Sequence, residues 1–318
     1  MGPVYTTFIS KRFRPNTEEI IRRADEIIEE YAAQGYDLTL RQLYYQFVAR
    51  GLIENSQKSY NSLGAIVSDA RLAGRLPWNR ITDRTRNVKG GGGWESPQSI
   101  IQAVHAQYHI NLWETQPNYV EVWVEKEALA NVVERACRDL NTPWFCCRGY
   151  VSQSEMYAAA QRLADNMQGG RAAHIIHLGD HDPSGIDMTR DIQERLNMFL
   201  THDVDWRETY DEDDEELVQM HRIALNMDQV REYNPPPNPA KTTDARFASY
   251  EYEYGNESWE LDALEPRTLE QLIEAEVRDL IEPEAWEAAE TRQRAEKDSL
   301  ASAAARWQDV QAFLRRAQ

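Results

Sequence analysis

From Tyr119 onward the chain repeats one pattern three times: a short apolar run that reads as a strand, then a segment with helical periodicity. YVEVWVE (119–125) precedes a helix over 128–139, WFCCR (144–148) precedes a helix from Ser154, and HIIHLGD (174–180) precedes one from about Ile186. Apolar strands separated by helices imply a parallel sheet, because a parallel crossover needs a dozen or more residues and lays its helix on the sheet face. The expected fold class is therefore α/β, with a Rossmann-like parallel sheet. Ligands of such sheets collect beyond the carboxyl ends of the strands, so chemistry is to be sought there.

The first ninety residues follow a different pattern. Thr17-Glu-Glu opens a helix with the apolar stripe Ile20, Ile21, Ala24, Ile27, Ile28 and Tyr31, and Gly35 stops it. A second helix follows Thr39 and ends near Gly51, and a third runs from about Ser59 to Ala73. The Arg-studded LPWNRITDRTRNV (76–88) suits the hairpin wing of a winged-helix domain, and KGGGGWESP (89–97) supplies a flexible break and a new helix cap. Three units are expected: residues 1–92 as a winged-helix domain, 93–282 as the α/β domain, and 283–318 as one long C-terminal surface helix. Residues 203–216, containing YDEDDEE, read as a solvated charge run, and 235–239 as an irregular connector.

A net charge of −18 speaks at first against a nucleic-acid partner. The charge is segregated, however: residues 1–92 hold fourteen Lys and Arg against ten Asp and Glu, which leaves −22 on residues 93–318. Double-stranded DNA would therefore bind the N-terminal unit, with Arg71, Arg75, Arg80, Arg84 and Arg86 as candidate phosphate contacts. No apolar run reaches the ~20 residues of a membrane helix and the N-terminus lacks a secretory stretch, so a cytoplasmic protein is expected. The three cysteines, with Cys146 and Cys147 inside an apolar strand, read as reduced and buried.

Glu125 ends the first strand, and Asp180 and Asp182 follow the third, where extended geometry would put both Asp side chains on one side. His181 would point away from them, and His174 and His177 read as core residues. Three carboxylates with no basic neighbour in HLGDHDPSG would repel one another unless a hard cation neutralised them, and oxygen ligands alone favour Mg²⁺. The competing reading is that the Asp residues merely cap the following turn and helix, since Asp-Pro-Ser-Gly is a good turn sequence. On the second helix, Arg41 lies four residues before Tyr45 and so on the same face, while Tyr44 faces the core and Tyr45 its flank. A phenol with an adjacent guanidinium has the parts to attack a phosphodiester, although tyrosines are common on half-buried helix flanks.

Glu125-Lys-Glu and Gly179-Asp-His-Asp-Pro-Ser-Gly resemble the two signatures of a toprim domain. Thr39-Leu-Arg-Gln-Leu-Tyr-Tyr, Arg148-Gly-Tyr and Glu260-Leu-Asp-Ala-Leu are similar to segments of the A subunit of topoisomerase VI and the related meiotic break-forming proteins, in the same order along the chain. That resemblance implies Mg²⁺ held by Glu125, Asp180 and Asp182, with Glu125 as ligand or acid–base group and Tyr45 as nucleophile. It further implies a reversible 5′-phosphotyrosyl link, a homodimer in which the tyrosine of one subunit meets the metal site of the other, and a type IIB topoisomerase reaction. Glu127 and Asp187 have no clear place in that scheme. No Walker-type phosphate loop occurs, so strand passage would need a separate ATPase subunit. Two other readings remain at this point: a toprim nuclease using metal-activated water, and a DNA-binding module without catalysis.

Overall fold

The computed structural model describes residues 5–81, 94–168, 170–202 and 217–316. Its centre is a four-stranded, all-parallel sheet in the order β2-β1-β3-β4, formed by β1 (Asn118–Val124), β2 (Trp144–Cys146), β3 (Ala172–Leu178) and β4 (Val218–Ala224). The two central strands β1 and β3 are buried along all but their first residue, as a sheet covered on both faces requires. Helices α5 (Ala130–Asp139) and α10 (Pro266–Asp279) pack on one face, and α6 (Gln153–Met167) and α7 (Pro183–His202) on the other. Strand β4 is absent from the reading of the sequence. Its segment VQMHRIA interleaves Gln219, His221 and Arg222 with apolar residues, which suits an edge strand and hides it from a search for apolar runs.

The N-terminal unit contains α1 (Pro15–Ala33), α2 (Leu40–Ala49) and α3 (Gln57–Leu72) around their own apolar cluster. Helix α1 begins at Pro15 and not at Thr17, since proline's fixed φ suits a first helical position and needs no side-chain cap. Thr39 and Gln42 form a reciprocal capping box at the start of α2, which fixes the rotation of the helix that carries Arg41 and Tyr45. Ser56 caps α3, so that helix starts two residues before Ser59. Leu38 bridges Ile81, and the rest of the expected wing, with Arg84 and Arg86, lies outside the described residues. The acidic stretch 203–216 lies outside them as well.

The two units are docked. Tyr31 donates to Glu265 at 2.5 Å, Tyr36 donates to Glu270, and Ala263 sits within the N-terminal apolar cluster. Arg135 of α5 lies over the Tyr36 ring at 4.6 Å and donates to the Gly35 carbonyl at 3.1 Å.

The expected single C-terminal helix is two helices, α11 (Pro283–Ala305) and α12 (Trp307–Arg316), separated at Arg306. Helix α11 is not solitary: it packs against α4 (Pro97–Gln107), which starts at its Ser96 cap as the sequence suggests. Between β4 and α10 the chain forms α8 (Met227–Tyr233), a two-residue strand β5 (Asn238–Pro239), α9 (Phe247–Tyr254) and β6 (Glu257–Ser258), which pairs with β5. The connector at 235–239 is thus partly a strand. Among the described residues no helix is long and apolar enough to cross a membrane, and the three cysteines are free.

Candidate carboxylate and tyrosine site

Pairing continues one residue beyond β1, where Glu125 N donates to the Leu178 carbonyl at 2.9 Å and delivers the Glu125 side chain to the end of β3. There Glu125 Oε2 accepts from Asp180 N at 2.9 Å. Strand β3 stops at Leu178, so Asp180 and Asp182 lie in a turn and the alternation expected of an extended chain does not apply. Their carboxylates part. Asp180 Oδ1 accepts from Leu261 N at 2.8 Å, and Oδ2 lies 2.9 Å from Lys126 Nζ. Asp182 Oδ1 accepts from Gly185 N at 2.6 Å and Ser184 Oγ at 2.9 Å, which caps α7 as the turn-capping reading foresaw.

Asp182 Oδ2 and Glu125 Oε1 stay outside these hydrogen bonds, and Lys241 is 4.0 Å from the former. Among the described residues no three His, Cys, Asp or Glu side chains are gathered so as to hold a metal ion. A three-carboxylate cage therefore does not fit this geometry. Glu125 Oε1 and Asp182 Oδ2 are the carboxylate oxygens left outside these hydrogen bonds, and Mg²⁺, which keeps several waters, often takes only one or two carboxylates.

The absence of basic neighbours in HLGDHDPSG is made good from elsewhere in the chain. Lys126 reaches Asp180, and Arg222 of β4 donates to the Asp180 carbonyl at 2.7 Å, to Thr189 Oγ1 at 2.7 Å and to the Gly185 carbonyl at 3.0 Å. Arg222 could have been found only by recognising β4. Burial raises the Asp180 and Glu125 carboxyls; Lys126 opposes this at both, and the Asp182 charge adds to it at Glu125. Burial pulls Lys126 down, but Asp262, Asp180 and Glu260 outweigh it and keep the ammonium protonated.

Gly185 lets this turn close. A Cβ built there would lie 2.3 Å from the Asp180 carbonyl oxygen, a rigid backbone atom. Gly185→Ala is expected to cost about 3 kcal/mol, the upper end for an overpacked site. Chemical denaturation checks this, and a parental midpoint would contradict it.

Both tyrosines of α2 are buried, Tyr44 at 5% and Tyr45 at 4% exposure, so Tyr45 does not sit on an open flank. Tyr44 donates to Asn55 Oδ1 at 2.8 Å and accepts from Ser56 N at 2.8 Å, which ties α2 to the start of α3. The Arg41 guanidinium is 5.8 Å from the Tyr45 ring centroid, as their spacing predicts. Its Nε lies 2.8 Å from Asp262 Oδ2 and its Nη2 donates to Glu260. Lys126 donates to the same Glu260 and, at 3.2 Å, to Asp262 Oδ1. A continuous chain of charges thus runs from Tyr45 and Arg41 through Glu260 and Asp262 to Lys126 and Asp180.

Tyr45 also lines a cleft of about 290 Å³ with Arg41, Asn55, Gln57, Asn238 and Glu260. Burial pushes its phenol up to about 12, with Asp262 and Glu260 adding to the rise and Arg41 and Asn238 opposing it. Glu260 and Asp262 stand in a segment noted in the sequence without a role; Asn238 carried no signal at all.

The other expected residues are placed less centrally. Arg71 donates to the Pro77 carbonyl at 3.2 Å and the Ile81 carbonyl at 2.5 Å, so it fastens the loop after α3. Arg75 pairs with Glu18 at 2.8 Å and Arg80 with Asp37 at 3.3 Å, both near the surface. Glu127 pairs with Arg148 at 2.5 Å, and Asp187 binds Arg190, Arg246 and Tyr150, so neither joins the carboxylate group. Burial holds His177 down at about 3 and His174 and His181 at about 4, which keeps all three neutral near pH 7. Comparison with known proteins finds no family model and no curated relative that matches the chain.

Proposed function

We propose that the chain is a winged-helix and toprim protein that cleaves double-stranded DNA in the presence of Mg²⁺, with Tyr45 as nucleophile. The observation that carries this reading is the charge chain that joins the Tyr45–Arg41 pair to the carboxylate end of the sheet. In the reaction the Tyr45 oxygen bonds to a backbone phosphorus while the bond to the 3′ oxygen breaks. The products are a 5′-phosphotyrosyl protein and a 3′-hydroxyl, and reversal reseals the strand. Arg41 offsets charge on the phosphate oxygens, and its proximity lowers the cost of the phenolate. Glu125 and Asp182 would hold the cation, which supplies further charge neutralisation at the phosphate when bound. By the resemblance, two subunits act together, the tyrosine of each meeting the metal site of the other, and strand passage draws on a separate ATPase subunit.

Supercoiled DNA incubated with the protein and Mg²⁺, then quenched in detergent, tests this. Breaks whose 5′ ends carry protein are expected, and chelation beforehand should prevent them. One observation favours a second reading, a nuclease using metal-activated water: the Tyr45 phenol is pushed up to about 12 and faces two acids. Breaks with free 5′ ends would support that reading.

DNA affinity is proposed to reside in the N-terminal unit. Exchanging Arg80, Arg84 and Arg86 for Ala should lower the log–log salt slope of binding by ~0.9 for each lost phosphate contact. An unchanged slope would move the DNA surface elsewhere.

A further inference from the structure

Asp262 is an unusual carboxylate for its position. Its side chain is completely buried, yet it meets two cations that belong to different parts of the site, Arg41 of α2 at 2.8 Å and Lys126 after β1 at 3.2 Å. Glu260, two residues before it, meets the same two cations. The pair is built into the fold: Leu261 N, between them, is fixed by Asp180 Oδ1 at 2.8 Å, and Leu261 itself is fully buried in the apolar cluster under the sheet. Burying a carboxylate is costly unless it is paired, and removing one partner of such a pair strands the other. A segment that only linked β6 to α10 would have no reason to carry two carboxylates inward.

We infer that Glu260 and Asp262 are positioning residues, a clamp that orients Arg41 beside Tyr45 and holds Lys126 against Asp180. This rests on the cleavage reading above. An arginine has five donors in a rigid fork. Nη2 donates to Glu260, and Nε lies 2.8 Å from Asp262 Oδ2 as an ion pair without a hydrogen bond, so the two acids hold the guanidinium in place and leave Nη1 outside both contacts. The clamp thereby sets where a phosphate can sit relative to the phenol. Lys126 is bound by the same two acids, so the position of Asp180 is tied to that of Arg41. A misplacement of about 1 Å in such an arrangement can reduce a rate by ~10²-fold.

Glu260 is the residue to test, because its side chain is 26% exposed and its neutral isostere should fold, whereas Asp262 is wholly buried. The experiment is a double-mutant cycle in the full chain with Glu260→Gln, Arg41→Gln and both together. Trapped protein–DNA complex is measured in single turnover, with DNA affinity and melting temperature in parallel. Glu260→Gln should reduce trapping by about 10²-fold at near-parental affinity and melting temperature, the loss expected of a misplaced group. Arg41→Gln should reduce trapping at least as much and also lower affinity and melting temperature, because it removes a cation from the phosphate and from the buried Asp262. The double variant should trap less than Arg41→Gln alone but more than the product of the two single losses, because Glu260 acts partly through Arg41 and partly through Lys126. Parental trapping by Glu260→Gln would overturn the clamp, as would a double variant showing the product of the two single losses. So would a loss in Glu260→Gln that follows melting temperature. A parent that traps no DNA would remove the cleavage reading itself, an outcome distinct from these.

Discussion

Tyr45→Phe should give a folded protein that binds DNA as the parent does and forms no covalent complex with it. The substitution removes one oxygen and keeps the ring, which is 4% exposed and packed edge-on against Tyr44 at 5.3 Å. Losing the hydroxyl from a cleft shared with Arg41 and Asn238 should cost about 1 kcal/mol, a small part of the ~5–15 kcal/mol of a typical domain. Cleavage by a phenol, by contrast, has no substitute nucleophile on this helix. Tyr44 cannot serve, since its oxygen is already shared between Asn55 and Ser56 N. Tyr44→Phe is the informative control: it leaves the Ser56 amide without its partner and should destabilise by about 1–3 kcal/mol while covalent trapping persists. Detergent-quenched trapping, with thermal melting of all three proteins, reads both effects.

Asp182→Asn should abolish Mg²⁺-dependent cleavage while the fold survives. The two carboxylate oxygens of this residue differ in their contacts. Oδ1 caps α7, and an asparagine oxygen caps a helix as well as an aspartate does. Oδ2 stands apart from the cap, and under the proposed function it is the anionic oxygen that would meet a cation. The loss should reach at least ~10²-fold, since even partners one shell out from a metal cost 10–100-fold when removed. Parental cleavage by Asp182→Asn, across a Mg²⁺ titration, would reduce Asp182 to a cap. Asp180→Asn is the harsher change, because it also strips Lys126 of a buried partner at 2.9 Å.

Much of the scaffold is legible in the sequence for physical reasons that can be named. Strands β1 and β3 are continuous apolar runs because both of their faces are covered, and α2 is bounded by a Thr-x-x-Gln box that satisfies its first amides. Arg41 and Tyr45 meet because a four-residue spacing on a helix leaves them no alternative. The failures lie where long-range contacts decide. β4 has mixed polarity because it forms the sheet edge, so Arg222 and its place under the Asp180 turn could not be foreseen. The convergence of Asp180 and Asp182 was inferred from extended geometry, but β3 ends two residues earlier and the turn sends the carboxylates to separate partners. Tyr45 shares its cleft with Asn238 and Glu260, nearly two hundred residues or more away, and no local periodicity reports that neighbourhood.

The central claim concerns one atom, the Tyr45 oxygen. Protein that has reacted with DNA in Mg²⁺ can be stripped of all but the attached nucleotides by nuclease, cut with a protease and examined by mass spectrometry. The account predicts a nucleotide on the peptide containing Tyr44 and Tyr45, with fragmentation placing it on Tyr45 and nothing on that peptide in Tyr45→Phe. DNA cut efficiently by the parent with that peptide unmodified, or modified at another residue, would contradict it.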